Sequence, residues 1–229
     1  MTTTDSSATA SAGPASAGPA SAGEPATAAG TAPATDPRTF RSTVLDLGDA
    51  LLRPWGRALD LPGGVVPALV AASADPAVAL WTPLTSTDPA GAEAYLDRCD
   101  AHWADNTTAS FAITDAADGG LLGNVILRWT DRAEGVAMVG YWLLTAARGR
   151  GLATRAADAV TRWGIETAGA RRIELFHGVG NDASCRVAVR AGFPYEGTLR
   201  ASFRHEGRDY NDEHLHARLA SDPYPALSA

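Results

Sequence analysis

Gly140-Tyr-Trp-Leu-Leu-Thr-Ala-Ala-Arg-Gly-Arg-Gly-Leu-Ala-Thr-Arg155 runs from an apolar strand through an Arg/Gly-rich loop straight into an amphipathic helix. That order sets several bare backbone N–H groups at a helix N-terminus, with guanidinium groups beside them. Such a terminus attracts a phosphorylated ligand, because its first N–H groups lack intrahelical partners and the helix dipole favours negative charge. Downstream, Leu152, Ala156, Ala159, Val160 and Trp163 recur at helical spacing, while Asp158–Arg162 and Arg162–Glu166 supply i,i+4 pairs on the polar side. Upstream, residues 135–144 are apolar on both alternating faces (Val136, Met138, Trp142 against Ala137, Val139, Tyr141), which predicts a central strand covered on both sides.

The flanking elements follow from the same rules. Leu51-Leu-Arg-Pro-Trp reads as a first strand, with Pro54 tolerable at its end or on an edge. Val65 to Ala74 reads as a helix closed by Asp75-Pro76. Asp88 caps a second helix, with Pro89 in its first turn, that runs to about Ala104. Ser110–Thr114, Asp118-Gly-Gly and Leu121–Trp129 spell a strand, turn and strand. Arg171–His177 is a strand, Asn181 or Asp182 caps a short helix ending at Gly192, and strands near 195–205 and 208–219 form a C-terminal hairpin. Antiparallel strands first, with one parallel βαβ-like unit in the middle, predict a single α+β domain over residues 41–222.

Residues 1–37 are built almost wholly of Ala, Ser, Thr, Gly and Pro, with Ala-Ser-Ala-Gly-Pro at 10–14 and again at 15–19. No aromatic residue precedes Phe40, so this stretch has too little apolar surface to offset its ordering entropy, and a disordered tail to about residue 40 is expected. It has neither the basic nor the apolar region of a signal peptide, and no apolar run of membrane-spanning length occurs, so a cytoplasmic protein is expected. The formal charge is −7, of which Asp5, Glu24 and Asp36 contribute −3, leaving −4 on the folded part. That balance argues against nucleic acid as a partner. All 19 basic residues are arginine. Cys99 and Cys185 fit no metal or redox spacing and read as free buried thiols. His214 and His216 face one side of a strand, but no third ligand stands at a convincing spacing, so no metal is expected.

Two phosphate-binding patterns compete. Gly178-Val-Gly-Asn-Asp-Ala183 satisfies G-x-G-x-x-A between a strand and a helix, but too little chain follows for a repeated βαβ architecture. Arg148-Gly-Arg-Gly-Leu-Ala153 satisfies R/Q-x-x-G-x-G/A instead. It stands among Leu52-Arg-Pro-Trp, Asp75-Pro followed by Trp81, Gly140-Tyr-Trp-Leu, Asn181-Asp-Ala-Ser-Cys-Arg-Val-Ala, Ala191-Gly-Phe, Glu196-Gly-Thr-Leu-Arg, Asp212 and His214-Leu-His. With these features in order over about residues 45–220, the chain resembles the GCN5-related N-acetyltransferases (GNAT family), and within them the RimJ/RimL-like group that acetylates protein N-terminal amines.

The resemblance implies the GNAT fold: a mixed, mostly antiparallel twisted sheet of six to seven strands flanked by about four helices. It implies that the strands at Gly140–Leu144 and Arg172–His177 splay apart to admit acetyl-CoA. Backbone groups of Leu143 and Leu144 would serve the thioester oxyanion. Backbone N–H groups of the loop residues Arg148, Gly149, Arg150, Gly151, Leu152, Ala153 and Thr154 would bind the pyrophosphate, and Asn181 would touch the pantetheine arm or a water. The amine acceptor would be a protein or peptide N-terminus, and the enzyme a monomer or homodimer. A small amine acceptor, or a non-catalytic acyl-CoA-binding module, are the rival readings.

Three chemical tasks need residues: taking a proton from the amine, holding the oxyanion, and protonating the departing thiolate. Where many relatives place a tyrosine acid this chain has Ala188, and the resemblance points to Ser184 in Asn-x-x-Ser instead. Met138 and Phe203 stand where relatives carry carboxylates. The remaining base candidates are Glu174, His177, His205, Glu206 and Asp212. Trp81, Tyr141 and Phe203 are read as acceptor-entrance or core residues.

Overall fold

A computed structural model describes residues 38–82, 84–204 and 209–226. The expected tail, and the base candidates His205 and Glu206, lie outside these residues. The described chain forms β1 (Leu45–Asp46), β2 (Ala50–Pro54), α1 (Val65–Ser73), α2 (Pro76–Trp81), α3 (Pro89–Ala104), β3 (Thr108–Asp115), β4 (Leu121–Asp131) and β5 (Val136–Leu143). A 3-10 turn at Thr145–Ala147 leads to α4 (Leu152–Ala168), β6 (Arg172–Gly178), α5 (Asp182–Arg190), β7 (Tyr195–Arg204) and β8 (Tyr210–Leu219). One eight-stranded sheet holds them in the order β1-β2-β3-β4-β5-β6-β8-β7.

This is the expected α+β architecture with one more strand and one more helix than the sequence suggested. The added strand is the two-residue β1, too short for any periodicity to reveal. The added helix is α2. Asp75-Pro76 does not merely close α1: Asp75 Oδ1 accepts the N–H groups of Ala77 and Val78, and Pro76 occupies the first turn of α2. Asp88 and Pro89 start α3 in the same way, with Asp88 Oδ1 accepting Gly91 N–H. One cap chemistry starts both helices.

The larger core lies under α4. Ala109, Phe111 and Ile113 of β3, Val125 and Leu127 of β4, and Ala137 and Val139 of β5 pack there against Leu152, Ala156, Val160 and Trp163. Phe111 meets the Trp163 ring edge-on at 5.4 Å. Ala112 joins a second core with Trp55, Leu69, Leu96 and Cys99 beneath α1 and α3. Polar residues also enter the interior. Asp158, read as half of a surface pair, is buried and bridges Arg162 of α4 (2.7 Å) and Arg218 of β8 (2.6 Å), a guanidinium with no exposure.

The parallel contact between β5 and β6 is short. It pairs Val136–Val139 with Arg172–Leu175 and stops there. Beyond that point β5 stays with β4 as far as Gly123↔Leu143, while β6 stays with β8 as far as Gly178↔Glu213. The sheet therefore opens between residues 140–143 and 176–178. A doubly covered β5 was the expectation; instead Met138, Gly140 and Tyr141 are half-buried. The apolar face without a helix over it is the wall of a cleft.

Candidate active site

The cleft between the parted strands has a volume of about 940 Å³, within the usual range for small-molecule sites. Met138 to Leu143 form one wall, Phe176–Gly178 with Asn181, the N-cap of α5, and its residues Ala183 and Ser184 another, and Leu199, Ser202, Phe203 and Glu213 of the β7–β8 hairpin a third. The Arg148–Thr154 segment, apart from Arg150, lines its end.

Backbone geometry prepares that end for an anion. Gly149 has φ +80° and Gly151 has φ +68°, conformations that cost an L-residue strain. A Cβ at either position would meet nothing within 4 Å, so within the protein itself φ, and not room, demands glycine. Gly151 is the N-cap of α4 and has no side-chain oxygen to satisfy the first-turn N–H groups. The sequence-assigned residues Gly149, Gly151, Leu152, Ala153 and Thr154 converge here. Arg148 does too, but its Nε and Nη2 donate to the carbonyl of Leu143 at 3.2 and 3.0 Å, tying loop to strand.

The side chain of Arg150 turns away from the cleft, which leaves its expected contribution to the backbone N–H group. Its guanidinium pairs with Asp49 at 2.9 Å and reaches Asp115 at 3.9 Å, outside the cleft lining. Asp49 is shared with Arg155, and hydrogen bonds from Arg155 and then Arg150 pull its carboxyl down to about 2. Arg150 therefore clamps the loop to the β1–β2 turn. Leu144 is also excluded as an oxyanion donor, because its N–H is spent on the Leu122 carbonyl at 2.9 Å. Strand groups alternate sides, so the N–H of Leu143 points away from β4, toward the opening.

Ser184 and Asn181 are brought together with a partner that the sequence reading did not connect to them. Asn181 Oδ1 accepts the Ser184 N–H at 3.1 Å, a helix cap that fixes the first turn of α5. The Ser184 hydroxyl lies 2.7 Å from the Tyr141 hydroxyl. Burial pushes the Tyr141 phenol up to about 12, so it stays protonated. Gly-Tyr-Trp carried the signal for Tyr141, but nothing local tied residue 141 to residue 184.

The base candidates separate clearly. Glu174 is bound to Arg172 at 2.9 Å. Asp212 Oδ1 accepts the N–H of Ala201, which sits at φ 49° in an irregularity of β7. Neither lines the cleft. His177 does, but its Nδ1 meets the Gly178 carbonyl at 3.1 Å and its Nε2 faces His216 at 3.2 Å. Burial, ahead of the neighbouring histidines, lowers its pKa. The carboxylate that does line the cleft is Glu213, which accepts a hydrogen bond from Ser202 Oγ at 2.9 Å. It was missed by one position in favour of Asp212. Adjacent strand residues face opposite sides, so the neighbour was the wrong choice.

The thiols divide as well. Cys99 is buried, and that burial pushes it up to about 11, as expected of an inert core thiol. Cys185 is half-buried beside His177, His214 and His216. The histidine pair thus gains two neighbours that linear spacing did not reveal.

Comparison with known proteins follows the same lines. Residues 50–194 match the family model described as an acetyltransferase (GNAT) domain. The ribosomal-protein-serine acetyltransferase of Escherichia coli is 31% identical over 100 residues, 43% of this chain and 55% of that protein. Bacillus subtilis YdaF, named for ribosomal N-acetyltransferase activity, is 32% identical over 83 residues, 36% of this chain and 45% of its own. The chain thus spans about half the length of the curated relatives it matches. Among solved structures, RimL, a ribosomal-protein alpha-N-acetyltransferase in complex with coenzyme A, superposes with a TM-score of 0.68 at 20% identity, covering 77% of this chain and 98% of that one. At that identity the likeness is one of fold.

Proposed function

The chain belongs to the GNAT acetyltransferase family, and from that membership we propose that it transfers an acetyl group from acetyl-CoA to a primary amine, specifically a protein or peptide N-terminal amine in the cytoplasm. The observation that carries the reading is the parting of β5 and β6 beside an α4 N-terminus without a side-chain cap. An unpaired strand edge can align an extended pantetheine arm, and the first-turn N–H groups of α4 can hold the pyrophosphate. Acetyl-CoA, as co-substrate, supplies the thioester.

The reaction forms a C–N bond and breaks the C–S bond of the thioester. The Leu143 N–H stabilises the oxyanion in this reading, a role worth on the order of 3–4 kcal/mol where it has been measured. Tyr141 donates to Ser184 Oγ, leaving the serine proton for the departing thiolate; water returns a proton to Ser184 as Glu213 releases the one taken from the amine. Asn181 holds Ser184 through its cap and offers its amide nitrogen to the pantetheine arm. Glu213, directly or through water, takes the proton of the amine. An α-amine needs little help here, since its pKa is near ~7.7–8 against ~10.4 for lysine.

The acceptor reading rests on charge. Arg98, Arg128, Arg148, Arg186 and Arg190 line the cleft, against Glu213 as its one carboxylate among the described residues. A polyamine would meet repulsion there, whereas a peptide with acidic residues after its N-terminus would be drawn in. The ribosomal names of the curated relatives point to the same acceptor class. The test is thiol release from acetyl-CoA with panels of N-terminal peptides, lysine peptides and small amines. Turnover of peptide α-amines, fastest with acidic sequences, is expected. Acetyl-CoA binding with no turnover of any amine would replace the enzyme reading with that of a binding module.

A further inference from the structure

We propose that His177, His214, His216 and Cys185 form a tetrahedral site for a zinc-class divalent metal ion, tying α5 to β6 and β8 behind the catalytic serine. Strand register builds the histidine part. His177 of β6 lies directly across from His214 of β8, and His216 follows two residues on, on the same face. Cys185 arrives from the first turns of α5. The ligand atoms of all four residues lie within 4.8 Å of one another.

The proton inventory of the cluster is incomplete without a cation. A carbonyl oxygen can only accept, so His177 Nδ1 donates to Gly178 O and His216 Nδ1 donates to Phe193 O, each at 3.1 Å. In a neutral imidazole that places the lone pair on Nε2 of both rings. Those two Nε2 atoms face each other at 3.2 Å, with no proton to share between them. Independently, His214 Nδ1 is buried and has no hydrogen-bond partner among the described residues. Facing lone pairs and an orphaned ring nitrogen beside a thiol are accounted for together by one bound cation.

The dimensions agree. With Zn–N near ~2.0–2.1 Å and Zn–S near ~2.3 Å, a tetrahedron has donor–donor edges of roughly 3.3–3.7 Å. The 3.2 Å Nε2–Nε2 separation is within about 0.1 Å of such an edge. The widest separation, within 4.8 Å, has to shorten by about an ångström on binding, a side-chain rotation and not a backbone movement. Nδ1–H to carbonyl bonds behind two ligands are the arrangement that orients a metal-bound histidine. Three imidazoles and a thiolate select a zinc-like ion over magnesium or calcium, which prefer oxygen. Four protein ligands leave no open position, so the site is structural. Its effect reaches the chemistry through position, because Ser184 is the residue before Cys185.

The test uses the full chain, free of any affinity tag, stripped of metal and titrated with cobalt(II). One cobalt per chain is expected, with the intense visible bands of tetrahedral cobalt and a near-ultraviolet thiolate charge-transfer band, both lost on adding zinc. Cys185→Ser should abolish the charge-transfer band. Loss of a group behind a ligand costs roughly 10–100-fold in affinity, so His214→Gln, which removes a ligand, should weaken binding by more than that. Zinc should raise the Tm of the native chain and not of His214→Gln. Circular dichroism of both variants separates a lost site from a lost fold. A folded native chain that binds no cobalt, or a charge-transfer band that survives in Cys185→Ser, overturns the proposal.

Discussion

The two sides of the cleft are made of different material. On one side, residues 140–154 supply a strand edge, two left-handed glycines and a helix N-terminus, all of them backbone features from one continuous segment. On the other, the groups in play are side chains: Ser184 and Asn181 from α5, His177 from β6, Glu213 from β8. The first side is assembled as soon as the segment folds. The second exists only when β8 has inserted between β6 and β7 in one particular register. A backbone site depends on conformation, and a side-chain site depends on assembly.

The strongest way to break both sides at once is to cut the tie between them. Asp158 belongs to the helix of the first side and Arg218 to the strand of the second, and Arg218 is fully buried. Asp158→Ala strands that guanidinium without its counter-charge, although Arg218 Nη1 still reaches the Ala191 carbonyl. A loss of about 3–5 kcal/mol in unfolding free energy is expected, read by chemical denaturation. Replacing both residues by apolar ones should return much of it. If Asp158→Ala costs less than about 1 kcal/mol, α4 and β8 are not joined in this way.

A crossed pair of variants then sharpens the contrast. Ser184→Ala should lower kcat by about 10²-fold or more, the range for a lost proton donor, with acetyl-CoA affinity unchanged. Gly151→Val forces a β-branched residue to φ +68° and should weaken acetyl-CoA binding roughly tenfold, while leaving kcat at saturation close to native. Isothermal titration and steady-state kinetics on both variants supply the readout. Effects that do not cross would mean that the two sides are not separable.

The same contrast explains what could be read in the sequence. Strand, loop and helix over 136–168 were legible because apolar period, glycine and arginine all sit within a few turns of chain. The parting of β5 from β6 was legible through family resemblance alone. Asp212 against Glu213 was not legible, since one residue of register reverses the face and β7 carries two irregularities against β8. The Tyr141–Ser184 bond joins residues 43 apart in sequence, and the histidine–cysteine cluster draws on β6, α5 and β8. Composition and periodicity carry no information about which strand lies beside which. The Arg150 side chain was illegible for another reason: a loop arginine beside a phosphate seat and one beside an aspartate look alike until Asp49 is placed.

The smallest expected effect tests whether the backbone side is as self-sufficient as it looks. Asp75 caps α2, and its carboxylate also accepts the N–H and the hydroxyl of Thr145 at 2.8 and 2.9 Å, just where the chain leaves β5 for the loop. The backbone bond from Thr145, above the other contacts, holds the Asp75 pKa below its ordinary 3.8. A depressed carboxyl contributes stability that is fully present above the unfolded-state value and is lost as pH falls through the folded-state value. Asp75→Asn keeps a cap oxygen and removes the charge, and should therefore cost about 0.5–1 kcal/mol at neutral pH, the scale of a carboxylate at a helix N-terminus. The gap between variant and native chain should narrow below about pH 4, because the native carboxyl then loses its charge as well. Denaturation midpoints at neutral and acidic pH give the comparison, and a gap independent of pH would remove the charge from the argument. If the variant also weakens acetyl-CoA binding, the loop draws its position from a side chain about 75 residues upstream. The backbone side would then depend on assembly too.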